Sequence, residues 1–202
     1  ESQNRAIEGA LLLTLPAAAA LIVIAEPTIY VLFERGAFTS IATNASANAL
    51  VAYAAGLPSF VLIKVLVPGY FARQDTKTPV YIAMVCLTVN VALNLILMGP
   101  LGHVGIALAT SLSGWLNAAI LAIGLKRRAF FSADQRLKYR LPRMLLATVF
   151  MGLALWGVSS LLSNHLNAPL GTSFGSLLAL IFTGIIVYGV SARCLGAAYF
   201  SD

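Results

Sequence analysis

Charged residues are scarce in this sequence. Lysine, arginine, aspartate and glutamate make up only 10% of the 202 residues, whereas 59% are hydrophobic and the mean hydropathy is +0.89. Ordinary soluble domains have about 25% charged and about 45–50% apolar residues. So few charges do not coat a soluble globule of this size, and the high apolar content excludes a disordered chain. The composition therefore indicates an integral membrane protein.

Cysteine and histidine are also rare. Cys86 and Cys194 lie in apolar runs, which is typical of small buried residues and not of a disulfide framework. His103 and His165 are far apart and lack metal-ligand spacing. The chain has no P-loop, no G-x-G-x-x-G motif and no Ser/His/Asp set within one compartment. These absences argue against an enzyme, and we expect no cofactor apart from a possible monovalent cation.

Long continuous apolar runs are what the sequence has instead. A helix needs roughly 20 apolar residues to cross a bilayer, and uninterrupted runs favour helices over the alternating strands of a barrel. We predict an all-α fold, a polytopic bundle of six transmembrane helices. The predicted spans run approximately from Gly9 to Phe33, Ala45 to Phe71, Pro79 to Met98, Val104 to Leu125, Leu141 to Leu162 and Phe174 to Tyr199.

Prolines and glycines predict where the spans begin and end. Thr78 and Pro79 predict the start of the third helix, with Thr78 as its N-cap. The segment from Gly99 to Gly102 predicts a tight hairpin into the fourth helix. Pro142 predicts the start of the fifth helix, and residues 164–173 form a polar loop.

The basic residues are distributed asymmetrically between the two sides of the predicted bundle. If the N-terminus lies in the cytoplasm, Arg35 is the single basic residue in the outer segments and Lys64 lies within a span. The positive-inside rule then places both ends of the chain in the cytoplasm. The eleven basic residues of the cytoplasmic segments are Arg5, Arg73, Lys77, Lys126, Arg127, Arg128, Arg136, Lys138, Arg140, Arg143 and Arg193.

A basic segment from Lys126 to Arg143 divides the chain. Basic residues interleaved with aromatic ones are found in nucleic-acid-binding segments, but this one is flanked by membrane helices. We expect it to lie on anionic lipid headgroups, and we predict no nucleic-acid partner. Residues 1–128 are then a four-helix part, 129–143 a basic cytoplasmic linker, and 144–202 a separate pair of helices.

Lys64 is the one basic residue placed within a span. Its Cα lies about eight residues, or about 12 Å, before the cytoplasmic end at Ala72. One interpretation is a lysine that extends its ammonium group to the interface. The other is a cation in a polar cavity, positioned for an anionic substrate. Pro58 in the same span predicts a kink, which serves either shape or movement.

Polar residues also lie near the middle of the third and fourth spans. If the hairpin turns near Pro100, Asn90, Asn94 and Thr110 meet at mid-membrane. Their oxygens form a candidate site for a small monovalent cation, although no carboxylate is present. The alternative is hydrogen bonding between helices. Gly105, Ala109 and Ser113 repeat every four residues, which predicts a packing stripe.

Three segments of the sequence resemble a known family. They are Val31 to Thr39, Lys64 to Pro79, which contains the string Pro-Gly-Tyr-Phe-Ala-Arg-Gln-Asp-Thr-Lys-Thr-Pro, and Gly99 to His103. Together they resemble the MurJ/MviN lipid II flippases of bacteria, members of the MOP superfamily of exporters. The resemblance covers the whole chain and is weaker in the last two spans.

The resemblance implies a fold and an activity. Family members have fourteen helices, of which this chain resembles the last six: four from the C-terminal lobe, then a pair that builds a lipid-facing groove. They move the undecaprenyl-pyrophosphate-linked peptidoglycan precursor across the bacterial inner membrane by alternating access. The implied substrate contacts are Lys64 in the cavity, with Arg73 and Lys77 at its cytoplasmic mouth. Some relatives place a monovalent cation near spans three and four, and where such a site has a carboxylate this chain has Asn94.

The implied partners are lipid II, membrane phospholipids and the N-terminal lobe of the same protein. We therefore expect this chain to be a piece of a longer one. The alternative function is an unrelated multi-pass membrane scaffold or assembly protein. An intramembrane enzyme is the third class, and no catalytic set supports it.

Overall fold

The computed structural model describes residues 2–128, 134–162 and 170–196, and these residues contain helices but no strand. The predicted all-α fold is confirmed. The helices are α1 (Ser2–Val23), α2 (Ala25–Phe33), α3 (Ser40–Phe71), α4 (Lys77–Arg127), α5 (Gln135–Leu161) and α6 (Leu170–Cys194).

Helix α4 is a hairpin of two membrane-spanning arms. Its 51 residues would extend about 76 Å if straight, more than twice the thickness of a bilayer core. The chain reverses at Gly102, whose φ of 55° and ψ of −133° are not helical. The segments on the two sides of this turn are in close contact, because the carbonyl oxygen of Leu97 lies against Gly105. We call residues 77–101 the first arm and residues 103–127 the second arm.

The structure therefore has six membrane crossings. Five helices are long and apolar enough to span a bilayer, and the folded α4 accounts for two crossings. The predicted hairpin after Gly99 is confirmed, because Asn90 of the first arm contacts Ser113 of the second.

The first predicted span is interrupted, contrary to prediction. Helix α1 ends at Val23 and α2 begins at Ala25, with Ile24 at φ −104° and ψ 20°. Pro27 explains the break, because its ring lacks an N–H and clashes with the carbonyl four residues earlier, that of Val23.

Two helix starts also differ from the prediction. Helix α4 begins at Lys77, and the N–H of Thr78 donates to the carboxylate of Asp75 at 3.0 Å, so Thr78 is not the N-cap. Helix α5 begins at Gln135 and contains Pro142, which is not its first residue. In both helices an aspartate side chain accepts a hydrogen bond from a backbone N–H of the first turn. The helix therefore begins next to this aspartate, before the proline.

Parts of the predicted linker and loop lie outside the described residues. These parts are residues 129–133, residues 163–169, which include His165, and residues 197–199 at the end of the sixth span. The described part of the linker, from Gln135 onward, is helical. The division into residues 1–128, 129–143 and 144–202 stays a prediction.

Small residues allow α3 and the second arm of α4 to pack closely side by side. A β-carbon on Gly56 would lie 2.5 Å from Ser111 Oγ, and one on Gly114 would lie 2.6 Å from a ring carbon of Phe60. Along this seam the Tyr70 hydroxyl donates to the Leu121 carbonyl at 2.8 Å. Helix α5 packs on α1, and α6 packs mainly on α5, with smaller contacts to α2 and α1.

The first arm of α4 is largely exposed in this structure. Large apolar side chains along it are exposed: Val80, Tyr81, Met84, Val85, Leu87, Val91, Leu95, Ile96 and Met98. A surface of this size on a membrane helix faces lipid or other protein.

Candidate functional site

Two of the predicted cations line the same cavity. A space of about 730 Å³ lies between the start of α1 and the last turns of α3, and both Lys64 and Arg73 border it. No carboxylate is among its described lining residues, which are Ser2, Gln3, Ala6, Lys64, Val65, Pro68, Gly69, Ala72 and Arg73. The charged side chains among the described lining residues are therefore both basic.

The position of Lys64 leaves its ammonium group available. It lies seven residues before the end of α3, or about 10 Å along the helix axis, and its side chain is exposed to the cavity. Among the described residues, no carboxylate forms an ion pair with it. A lysine in this setting acts as a point charge for an incoming anion.

A third polar group in this cavity, Gln3, was missed by the sequence analysis. Its side-chain nitrogen Nε2 is buried and has no hydrogen-bond partner among the described residues. It packs on Gly69, where a β-carbon would come within 2.5 Å of that nitrogen. An unused N–H donor beside two cations suits an anionic ligand. The sequence feature that could have indicated this residue is a glutamine in the polar segment before the first predicted span.

Arg73 and Lys77 are separated by a structured turn. Gln74 adopts a left-handed conformation with φ 58°, which reverses the chain between α3 and α4. Arg73 contacts the Gly69 carbonyl at 3.5 Å and borders the cavity. Lys77 lies at the start of α4, is exposed, and is not among the residues that line the cavity.

The turn is held by Asp75. Its carboxylate accepts hydrogen bonds from the hydroxyl and the N–H of Thr78, and these lower the pKa of Asp75 to about 2. Arg128, directly after α4, forms an ion pair with Asp75 and is a smaller cause of this same lowering of the pKa to about 2. Asp75 is consequently ionised at physiological pH.

The predicted cation cluster forms in part. Asn94 donates to Asn90 at 3.0 Å, and Asn90 donates to the Ser113 hydroxyl at 2.9 Å. The Thr110 hydroxyl instead donates to the Ile106 carbonyl of its own helix at 2.9 Å. Among these groups, the buried Oδ1 of Asn94 has no partner. One oxygen is therefore free for a cation, and the other groups would have to reorient to bind one.

A second cavity, of about 700 Å³, lies between α1, α5 and α6. Its walls are almost entirely apolar, and its polar members are Tyr188 and Arg193. The Tyr188 hydroxyl donates to the Leu12 carbonyl at 2.8 Å, which ties α6 to α1. We call this space the apolar groove.

An ion-pair cluster joins α1 to α5 one turn before the groove. Glu8 of α1 contacts two residues of α5, Arg140 and Arg136, the latter at 3.5 Å. The Glu8 and Arg140 side chains are only 12% and 13% exposed. The sequence analysis missed this cluster, although the spacing of four between the arginines indicated a shared helix face.

Comparison with known proteins identifies the family. The family profile described as "Lipid II flippase MurJ" matches residues 1–190. The probable lipid II flippase MurJ of Rhizobium meliloti is 42% identical over 201 residues, which is 98% of this chain and 38% of that protein. The Vibrio cholerae protein of the same description is 39% identical, over 89% of this chain and 33% of its own length.

A solved structure agrees. The structure described as "Lipid II flippase MurJ, inward closed conformation" superposes with a TM-score of 0.76 at 27% identity, covering 95% of this chain and 38% of that one. This chain thus spans well under half the length of the relatives it matches. Its helices and its relatives identify a multi-pass membrane protein. The chain belongs to the lipid II flippase MurJ family.

Proposed function

We propose that this chain is the C-terminal part of a lipid II flippase, a protein that moves undecaprenyl-pyrophosphate-linked precursor across the membrane. The observation that carries the proposal is the cavity between α1 and α3, with Lys64, Arg73 and an unpaired Gln3 amide and no carboxylate. The pyrophosphate is the strongest anion of such a substrate. Relatives that match 98% and 96% of this chain are described as probable lipid II flippases.

Lys64 and Arg73 have different parts in the proposed binding. Lys64 is the deeper of the two and supplies a mobile point charge within the bilayer. Arg73, at the end of α3, provides a planar group with several donors suited to a phosphate at the mouth. Lys77 adds positive charge nearby. A flippase moves its substrate without changing it, so no catalytic residue is proposed.

Transport requires more than this chain. Alternating access depends on two halves that move around a shared site, and this chain spans 38% of its Rhizobium meliloti relative. We propose that the remaining helices form the other lobe and pack on the exposed first arm of α4. This chain alone, reconstituted in liposomes, should not exchange the precursor between leaflets.

The proposed location is the bacterial inner membrane, with both ends of the chain in the cytoplasm. Support comes from the basic residues, eleven of which lie on one side against Arg35 on the other. Cysteines introduced at Arg136 and His165 test this in intact cells. An impermeant reagent should label the position of His165 and not that of Arg136, and the reverse pattern would overturn the orientation.

We propose that the apolar groove receives the hydrocarbon part of the lipid substrate or of a phospholipid. Its lining carries aliphatic residues from three helices, such as Leu13, Leu155 and Leu180. A monovalent cation near Asn90, Asn94 and Thr110 also remains a proposal, supported by the unpaired Asn94 Oδ1. For the cation, Asn94→Leu should remove any sodium-dependent change in melting temperature, whereas Thr88→Val, at an exposed threonine outside the cluster, should preserve it.

Binding of the anion can be measured directly. This chain would replace the matching segment of the Rhizobium meliloti relative, and the affinity of the purified chimaera for undecaprenyl pyrophosphate would be compared among variants. Lys64→Gln should weaken binding about tenfold, as expected for a lost hydrogen bond between charged groups. Lys64→Arg should retain most of the affinity. Lys126→Gln, which removes an exposed lysine outside the cavity, is the matched control.

The binding measurement distinguishes a flippase from a membrane scaffold. Equal affinity in Lys64→Gln and Lys126→Gln would refute the cavity site. Failure of the unmodified chimaera to bind the lipid, although it folds and inserts, would favour the scaffold alternative.

A further inference from the structure

Arg128 is the only one of three consecutive basic residues that bonds to the turn between α3 and α4, among the residues that the structure describes. Its guanidinium forms an ion pair with Asp75 and donates to the Thr78 hydroxyl at 3.2 Å. Neighbouring Lys126 and Arg127 are exposed and form no ion pair with described residues. The contact is therefore specific to position 128 and does not follow from the general basic character of this surface.

Arg128 is itself anchored to the core. Its guanidinium carbon lies 6.0 Å from the centre of the Tyr70 ring, a cation–π distance. Tyr70 is fully buried, and its hydroxyl donates to the Leu121 carbonyl of the second arm. Gly124 lies against this hydroxyl, where any β-carbon would overlap it. The turn is thus connected through Arg128 to a rigid part of the bundle.

The geometry of the turn sends neighbouring side chains in opposite directions. On one side of the left-handed Gln74, Arg73 borders the cavity of Lys64. On the other side, Asp75 faces Arg128 at the end of the second arm. The N–H groups of Arg73 and Asp75 both donate to the Tyr70 carbonyl, at 3.0 and 3.2 Å, which links the two sides of the turn.

We propose that Arg128 is a positioning residue for anion binding: its contacts with Asp75, Thr78 and Tyr70 fix the turn so that Arg73 faces the cavity beside Lys64. The use of Arg73 rests on the proposed function, whereas the geometry of the turn does not. An exposed ion pair alone contributes little to stability. The effect of Arg128 is therefore on the direction of the turn and not on folding.

The orientation of the turn is tested in the chimaera by the distance between two nitroxide labels, one at Thr76 of the turn and one at Arg5 of α1. The labels are introduced in a background in which Cys194→Ser and replacements of the other reactive cysteines prevent labelling elsewhere. The distance distribution between the labels should be narrow in the parent and broader in Arg128→Gln. Arg128→Lys, which keeps the ion pair but loses the forked geometry, should lie between them. Arg127→Gln is the matched control and should equal the parent.

The functional part uses flipping by the same variants in liposomes, at equal amounts of inserted protein. Arg128→Gln should reduce the rate about two- to fivefold, the range expected for an exposed charged contact. An unchanged distance distribution in Arg128→Gln would overturn the proposal. So would a broadened distribution with a normal flipping rate, provided that Arg73→Gln slows flipping. If Arg73→Gln has no effect while Arg128→Gln still broadens the distribution, the failure belongs to the proposed use of Arg73 and the geometric inference holds.

Discussion

The seam between α3 and the second arm of α4 differs sharply from the contact that α1 makes with α5 and α6. In the seam, glycines lie against side chains along its length, and Ser111 and Trp115 donate to the carbonyls of Ala52 and Ala55 at 2.6 and 2.9 Å. Between α1, α5 and α6 the helices separate around the apolar groove. The seam is therefore closely packed, whereas the contact around the apolar groove leaves room for a ligand.

This difference has a mechanical consequence. Pro58 removes one backbone hydrogen bond from α3, but Ser111 and Trp115 bond to carbonyls just before it. The segment of α3 just before Pro58 is thereby held by the second arm, and we expect the two helices to move together. The groove is held at its edges, by the Glu8 cluster and by the bond from Tyr188 to Leu12.

The largest effect should come from a β-carbon in the seam. In Gly56→Ala the new methyl group would lie 2.9 Å from Ser111 Cβ and 3.0 Å from its Cα, so backbone must move. We expect a loss of about 1–3 kcal/mol in the free energy of unfolding, as for other overpacked sites. Gly157→Ala, where nothing lies within 4 Å, is the control and should be neutral or slightly stabilising. Equal melting temperatures in detergent for the two variants would contradict the tight seam.

A smaller effect is expected from the ion pairs beside the groove. Glu8→Gln leaves Arg140 without its partner in a position that is 13% exposed. Because both groups are partly accessible, we expect about 1–2 kcal/mol of destabilisation, less than for a fully buried pair. Glu26→Gln, at an exposed glutamate without an ion pair among the described residues, is the control. Hydrogen exchange should rise at the start of α5 in Glu8→Gln and remain unchanged in the second arm of α4. Exchange that rises equally in both places would remove the distinction between the two regions.

The smallest effect concerns pH. The pKa of Asp75 is lowered from 3.8 to about 2 by Thr78 and Arg128, so its contacts favour the folded turn above pH 3.8 and are lost as the pH falls through about 2. Between pH 5 and 8 the label distance from Thr76 to Arg5 should not change. Asp75→Asn should broaden it throughout that range. A distance that shifts between pH 5 and 8 in the parent would show that another group titrates in the turn.

Much of the fold was predictable because it depends on local patterns. Runs of apolar residues gave the spans, and the glycines around Pro100 gave the hairpin. The register of the two arms was harder to predict. The turn centres on Gly102, so Asn90 contacts Ser113 and not Thr110, the contact that a turn near Pro100 had predicted. A shift of the turn by two residues, from Pro100 to Gly102, is enough to bring a different hydroxyl group to Asn90.

The candidate site was predictable only where single residues were unusual. Lys64 was conspicuous because a charge within a span is costly. Gln3, Glu8 and Arg128 were not conspicuous, because each lies among other polar residues in the sequence. Their roles depend on contacts with a segment that is distant in sequence. Arg128 appeared as one cation of a basic segment, and its contact with Asp75 follows only from the way that α4 folds back to the turn.

Lys64 is the proposed cavity cation for the pyrophosphate. The most direct test is growth and precursor flipping in cells where the chimaera is the only flippase, with variants present at equal membrane levels. The account predicts that Lys64→Gln impairs both and that Lys64→Arg retains more activity, because an anion requires a positive charge at that depth. If Lys64→Gln supports growth and flipping as well as lysine does, the ammonium group serves only the interface and the account is wrong.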